Sequence, residues 1–574
     1  MTDTVVRPAE PALRIPDPVP GFMFDPAIDF DQSPAWFLDG THSVPPWTPL
    51  FGWSWINYCR AGVQYGAEKL SLPTVKGWDW RFMNGGAYLT VMVVQSEEER
   101  AAREVKFRDG IRPFIEDFDG LWNGLLGEML DRYEKLKAVD LAALDNFDML
   151  EQFEEALRVV RRMWEIHTYM MYGTFTGYIL FENLCREMLG IDDTNPTFHK
   201  LITGFDNKVL QVDKRIWEFS QVADQMGLAE VFTEGEPGQI RARLQATPAG
   251  TQFLARLAEF LDEDGWRAQR MAEINLPTWI EDPAPVLVNI RQFLARGGGF
   301  NLDDERARIS GERAEAEREV LAKVAPAQRG WFTTLMTLAQ KSGVFSEEHD
   351  HYLDLYSHAL LRRAAIEVGR RMTADGAIDD PEDVLFLIPD EIRKVAINPD
   401  NFRMQAIVQS RRADWESWNS TPNPPVLLKP GYEMEEAMAN LVTSQDPIAL
   451  KVVVGAMPVV REELKADLYG TCGSPGVAEG VARVILREEE IADVKPGEIL
   501  VAASTSVSWT PVFSFISGVV VDRGAALSHA AIVGREYGIP VLMNVFVGTE
   551  TIRTGQRIRV DANLGALYIL DKPE

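Results

Sequence analysis

The hydrophobic period of this chain changes near residue 465, and that change sets which folds are open to it. From about residue 95 to 375 apolar positions recur at helical spacing. In Leu150–Met171, the residues Phe153, Leu157, Val160, Trp164, His167 and Met171 are separated alternately by four and three, which places them on one face of an amphipathic helix. Further helical runs fall near 250–275, 304–325 and 346–375, and the glycine-rich break Arg296–Phe300 separates two of them. Beyond about 465 the runs become short and β-rich: Val481–Leu486, Glu498–Ala502, Gly518–Val521, Val541–Val545, Arg557–Val560 and Ala566–Leu570. One short helical run, from about His529 to Tyr537, lies between two of them.

This pattern predicts a multidomain chain. A large, mainly α-helical domain is expected over 36–445, a hinge over 446–470 containing the charge run Arg461–Lys465, and a small mixed α/β domain over 471–574. Residues 1–35 are polar and proline-punctuated and read as an arm. Within 36–90, Trp36, Trp47, Trp53, Trp55, Trp78 and Trp80 crowd around Pro45, Pro46 and Pro49. Such rings either pack onto a core or wall an apolar pocket, where Trp47 and Trp53 would touch a substrate.

Composition excludes several classes of partner. Lys and Arg number 58 against 86 Asp and Glu, a net charge of −28. That surface repels phosphate backbones and anionic headgroups, so neither nucleic acid nor membrane is expected. The three cysteines, Cys59, Cys185 and Cys472, are far apart and without metal-ligand spacing, which suits a reducing compartment and predicts no metal site. No run of about 18 apolar residues occurs, and the N-terminal stretch lacks the apolar core of a signal peptide. A cytoplasmic protein is expected.

The chemistry concentrates in Asp522–Pro540. A strand ending at Val521 runs into a loop containing Gly524; Ser528 is a candidate N-cap, and His529 opens a helix that Gly538 and Pro540 terminate. A helix N-terminus offers free N–H groups and partial positive charge, which stabilise a phosphoryl group. An imidazole there is a competent nucleophile. The residues alone leave a capping histidine and a covalent phosphohistidine both open.

The same segment resembles the phosphohistidine swivelling domain of the PEP-utilizing enzymes, a group that includes pyruvate phosphate dikinase, PEP synthase and rifampin phosphotransferase. Its signature is a Gly-rich loop, then Thr-Ser-His-Ala-Ala, then a helix closing on Gly-x-Pro. Here Leu527 stands in place of the Thr, which removes one hydroxyl from the phosphoryl cradle. Gly473–Gly480, Thr505–Pro511 and Val560–Gly565 resemble three flanking turns of that domain. The resemblance implies a β/β/α swivelling fold, a covalent phosphohistidine at His529, and Gly524 and Ser528 in the phosphoryl loop. More weakly, Pro46–Leu50, Leu361–Arg363 and Pro381–Leu387 resemble the substrate domain of rifampin-phosphotransferase-like proteins. No Walker-type or ATP-grasp pattern is legible. The two-part arrangement resembles phenylphosphate synthase and its 4-cresol-phosphorylating relatives, which implies a separate ATP-grasp subunit holding ATP and Mg²⁺, and a phenolic acceptor bound by this chain.

The implied reaction is phosphorylation of His529, then in-line attack by the acceptor hydroxyl, and a general base would assist a phenol. Ser346–His358 supplies candidates. On a regular helix His351, Leu355, His358 and Arg362 share a face, with His349 about 160° from His351. His349 falls in a Glu-x-His element of the resemblance and ranks beside His351 as base. Arg362 would hold phosphoryl oxygens, with Arg363, His358 and His167 as candidate substrate contacts. Each has a plainer reading, as a solvated helix face, an ordinary salt bridge or a core histidine. Two other functions stay open: a phosphotransferase for another hydroxylated compound such as an antibiotic, and a phosphocarrier serving a protein partner.

Overall fold

A computed structural model of the chain describes residues 36–40, 42–83, 85–191, 195–296, 301–420, 458–505 and 507–571. The expected arm at 1–35, the break at 297–300 and the first part of the expected hinge, 446–457, lie outside these residues. The chain forms two compact units, each gathered from separate stretches. The first comprises Met1–Gly173, Arg270–Leu276 and Tyr352–Leu450, and the second comprises Thr174–Gln269, Pro277–His351 and Lys451–Glu574. The described residues are mostly helical before the C-terminal sheet, as the periodicity predicts. No described helix is long and apolar enough to cross a membrane.

In the first unit the helical expectation for 36–445 needs one correction. Strands β1 (Phe37–Leu38), β2 (Val75–Met83) and β3 (Gly86–Val93) form an antiparallel sheet in the order β1-β3-β2. The signal in β2 is the period-two run Trp78, Trp80, Phe82. The intervening Asp79 and Arg81 are also buried, because Arg60 pairs with Asp79 at 2.9 Å and Arg81 lies over the Trp36 ring. All six tryptophans of 36–90 are buried. The predicted apolar stripe Phe153–Met171 is buried throughout on the helix Asn146–Leu189.

In the second unit the helices Lys208–Gln225, Pro248–Asp264 and Ala284–Arg296 share an apolar core that includes Ile216, Phe253, Phe260, Trp279 and Ile290. The helical run expected over 250–275 ends at Asp264, where Gly265 caps it through Leu261 O and the chain turns irregular. The run expected over 346–375 is also interrupted. The helix Arg329–His349 passes into a π-helical turn, Asp350–Leu355, before the helix Tyr356–Ala374.

The C-terminal part of this unit is an eight-stranded mixed sheet. Its strands are β4 (Leu468–Tyr469), β5 (Thr471–Ser474), β6 (Val477–Ile485), β7 (Ile499–Ala502), β8 (Gly518–Val521), β9 (Val541–Met543), β10 (Arg557–Asp561) and β11 (Ala566–Ile569). They lie in the order β4-β11-β10-β6-β7-β8-β9-β5, with β6 to β9 parallel and the flanking pairs antiparallel. The parallel strands are continuous apolar runs because both faces are covered. Leu500, Ala502, Val519 and Val521 face a core with Ala530, Ala531 and Val533, while Ile499, Val501 and Val520 face Ile558 and Val560.

Candidate functional site

His529 and Thr510 lie on the connections that leave the carboxyl ends of neighbouring parallel strands, Thr510 after β7 and His529 after β8. Open α/β sheets place ligands at those ends. His529 is the first residue of the helix His529–Glu536 and is 8% exposed. Gly538 takes φ +63° and closes that helix, as the Gly-x-Pro pattern predicts. Ser528 occupies the N-cap position with extended dihedrals, but its side chain caps nothing. Its Oγ lies 3.6 Å from Met543 Sδ, so the expected side-chain cap is corrected and the first-turn N–H groups stay clear of it. Gly524 donates its N–H to Asn544 Oδ1 at 3.0 Å, and a Cβ there would meet Met543 Sδ at 3.0 Å and Ser528 Oγ at 3.3 Å. The buried Arg535 guanidinium donates to Gly473 O and Ala526 O, tying the opening turn of the sheet to the loop before His529.

The decisive contact comes from the helix Arg329–His349. Glu347 Oε2 lies 3.1 Å from Nδ1 of His529, and Glu347 is 1% exposed. A buried carboxylate accepts, so the His529 proton sits on Nδ1 and Nε2 presents its lone pair. On the other side Thr510 Oγ1 lies 3.4 Å from Nε2, but its hydroxyl hydrogen is already donated to Val507 O at 2.7 Å. The Nε2 lone pair therefore receives no hydrogen from Thr510. Ser346 Oγ donates to Leu527 O at 2.9 Å, one residue from Glu347, and holds the loop against the helix. Glu347 Oε1 is buried with no hydrogen-bond partner among the described residues.

At the far end of the same short helix, Glu536 accepts from Gly204 N and the Tyr537 hydroxyl donates to Asp213. Burial pushes the Glu536 carboxyl up to about 7, against the pull of the Gly204 amide and Arg535. Burial likewise pushes Asp213 up to about 6, against the Tyr537 hydrogen bond.

The other predicted residues are placed differently. His349 has Nδ1 2.9 Å from Phe345 O and Nε2 3.2 Å from Asp350 Oδ1, so both ring nitrogens are engaged locally and it is a poor base. His351 is 3% exposed, and burial, with Arg267 and Lys208, drives it well below the usual imidazole range. The shared face expected for His351, His358 and Arg362 assumed a regular helix, and the π turn Asp350–Leu355 breaks that register. Arg362 donates to Ile274 O and Glu382, each at 2.7 Å, and Arg363 donates to Leu136 O and Val139 O. Both guanidiniums are structural ties, which corrects their assignment to phosphoryl oxygens or substrate. Trp47 donates to His42 O and is 1% exposed, and Trp53 packs edge-on to Tyr58. His167 pairs with Asp354 at 3.0 Å, and His358 Nδ1 lies 3.1 Å from Met271 O. Sequence reasoning did not single out Glu347, Thr510 or Asp354, although Glu347 opens the Glu-x-His element and Thr510 lies in the Thr505–Pro511 turn.

Two segments match known families. Residues 165–348 match the rifampicin phosphotransferase fourth domain, and residues 494–565 match the mobile domain of PEP-utilising enzymes. Chondramide synthase of Chondromyces crocatus is 27% identical over 98% of this chain, which spans 14% of that protein. A phosphotransferase of Bacillus subtilis is 27% identical over 74% of the chain, which covers 49% of its length. A rifampicin phosphotransferase of Streptomyces sviceus is 29% identical over 57% of the chain and 36% of its own length. The chain thus spans about half or less of each of these relatives.

Proposed function

We propose that this chain, which carries a PEP-utilising mobile domain over residues 494–565, is a phosphotransferase that takes a phosphoryl group onto Nε2 of His529 and delivers it to a small-molecule hydroxyl. The observation that supports this most is the Glu347 contact, which fixes the imidazole with Nδ1 protonated and Nε2 open. In the charging step Nε2 attacks the β-phosphorus of ATP, the bond from that phosphorus to the AMP oxygen breaks, and water cleaves the β–γ bond so that the γ-phosphoryl leaves as phosphate. The donor is ATP held by a separate ATP-grasp subunit, where Mg²⁺ would neutralise the phosphate charge. In delivery the acceptor oxygen attacks phosphorus in line, the P–N bond breaks with its electron pair returning to Nε2, and the acceptor proton passes to a base.

The acceptor we favour is a phenol such as phenol or 4-cresol. The buried aromatic and imidazole groups around Trp55 and Trp164 support a flat acceptor. A second reading, a larger hydroxylated acceptor of the antibiotic type, is favoured by the rifampicin phosphotransferases among the relatives. The test mixes the protein with an ATP-grasp partner and ATP labelled at the β position. Label is expected on wild type, in acid-labile form, and absent from His529→Ala. Discharge by phenol or 4-cresol supports the aryl-phosphate reading, whereas discharge by a rifamycin alone supports the second. Absence of label with an active partner overturns the phosphohistidine assignment.

A further inference from the structure

The first unit contains an aromatic cluster whose polar atoms are incompletely used. Trp55 is its hub, with ring centroids 4.6 Å from Trp164, 5.0 Å from His42, 5.0 Å from Trp47, 5.9 Å from Phe51 and 6.1 Å from Trp80. Phe51 in turn meets His358 edge-on at 5.0 Å, and Trp164 lies 4.8 Å from His167. Trp55, Trp80 and Trp164 are 4%, 4% and 3% exposed, and their indole N–H groups find no hydrogen-bond partner among the described residues. Nε2 of His358, in a residue 1% exposed, is also without one. Buried polar atoms are nearly always paired, so four such atoms in one cluster point to a ligand.

The chemistry of those atoms narrows the ligand. An indole N–H only donates. His358 Nδ1 faces the Met271 carbonyl, an acceptor, so its proton sits on Nδ1 and Nε2 only accepts. Burial lowers His358 to about 4, in keeping with a neutral ring. A group that can satisfy both a bare acceptor and a bare donor is a hydroxyl, and the walls are aromatic. The buried carboxylates of Asp39 and Asp354, held by His42 at 2.7 Å and His167 at 3.0 Å, disfavour an anionic substituent. Two π-helical turns, Trp55–Cys59 and Asp350–Leu355, carry Trp55 and Asp354. Such turns recur at functional sites.

We propose that Trp55, Trp80, Trp164 and His358 form an internal site for a neutral phenol, whose hydroxyl donates to Nε2 of His358 and accepts from an indole N–H. This rests on the aryl-acceptor reading above and assigns the acceptor's binding site within it. The Met271 carbonyl keeps His358 in the accepting tautomer.

The test is binding to the full chain by calorimetry and tryptophan fluorescence, with phenol and anisole as paired probes. Anisole keeps the ring and oxygen but cannot donate. Phenol is expected to bind wild type at least tenfold more tightly than anisole. The preference should collapse in His358→Leu with anisole affinity retained, and Trp164→Phe should weaken phenol while keeping the ring wall. Equal binding of the two probes to wild type, or a preference that survives His358→Leu, overturns the proposal. The wild-type comparison decides the matter even if the variant fails to fold. The two readings fail separately: phenol binding by a wild type that takes no label from an active partner sinks the phosphotransferase and leaves this site standing, and His529→Ala should bind phenol as wild type does.

Discussion

Replacing Glu347 tests the site at its most informative contact. Its carboxylate lies 3.1 Å from Nδ1 of His529 and both groups are buried. A hydrogen bond to a charged partner contributes about 1.5–3 kcal/mol. At 1.36 kcal/mol per factor of ten, that corresponds to a tautomer bias of about tenfold to about 150-fold. Wild type should therefore hold His529 almost entirely with the proton on Nδ1. Glu347→Gln keeps an acceptor oxygen but loses the charge, so an intermediate bias is expected; Glu347→Ala should lose it. Nitrogen-15 NMR of histidine-labelled protein reads the tautomer directly. Phosphoramidate, which charges histidines without an ATP-binding partner, reads the nucleophile. Charging should fall in the order wild type, Glu347→Gln, Glu347→Ala, by about tenfold or more overall, with phosphorus on Nε2 in wild type. A wild-type ring protonated on Nε2, phosphorus on Nδ1, or a Glu347→Ala rate within twofold of wild type would each refute the reasoning.

Other contacts make separate predictions. Glu536 has its carboxyl raised from 4.5 to about 7, so the stability tied to it is full below 4.5 and is lost as pH rises to about 7. Glu536→Gln, neutral throughout, should stabilise the protein at pH 8 by up to about 3 kcal/mol and change little at pH 4.5, read as the pH dependence of the melting temperature. Arg363→Ala removes two hydrogen bonds to the carbonyls ending the helix Phe118–Lys137 and should cost about 2–3 kcal/mol in denaturant melts, with His529 charging by phosphoramidate unchanged. Gly538→Ala forces a side chain at φ +63° beside Arg308 and should cost about 1–2 kcal/mol, with a matching drop in melting temperature.

What could be seen in the sequence was local. The helix opening at His529 was legible because its stop signals, Gly538 and Pro540, act within one turn, and Gly538 does adopt the left-handed conformation. Strands β6 to β11 were legible because each is a short apolar run bounded by turn residues; β4 and β5, of two and four residues, carry too little pattern to find. The sheet at 36–93 was hidden because its polar positions are buried too, Asp79 by Arg60 and Arg81 by Trp36, so no solvent face betrayed it.

The site itself depended on relations that no spacing rule carries. Glu347 reaches His529 across 182 residues, and nothing in either segment names the other. The argument that put His351, His358 and Arg362 on one face assumed 3.6 residues per turn, and the π turn Asp350–Leu355 lies inside that stretch. Arginines near a suspected phosphoryl site look like anion clamps in sequence, yet Arg362, Arg363 and Arg535 all donate to backbone carbonyls. Their charge is the same in either role, and only the fold decides which acceptor each guanidinium meets. A histidine's role follows the same rule. His349, His358 and His529 differ in what faces Nδ1: a carbonyl of its own helix, a carbonyl from a distant segment, and a buried carboxylate. Each of those partners accepts, so each Nδ1 donates, and the rings differ in what Nε2 meets: the Asp350 carboxylate for His349, the Thr510 hydroxyl oxygen for His529 and no partner among the described residues for His358.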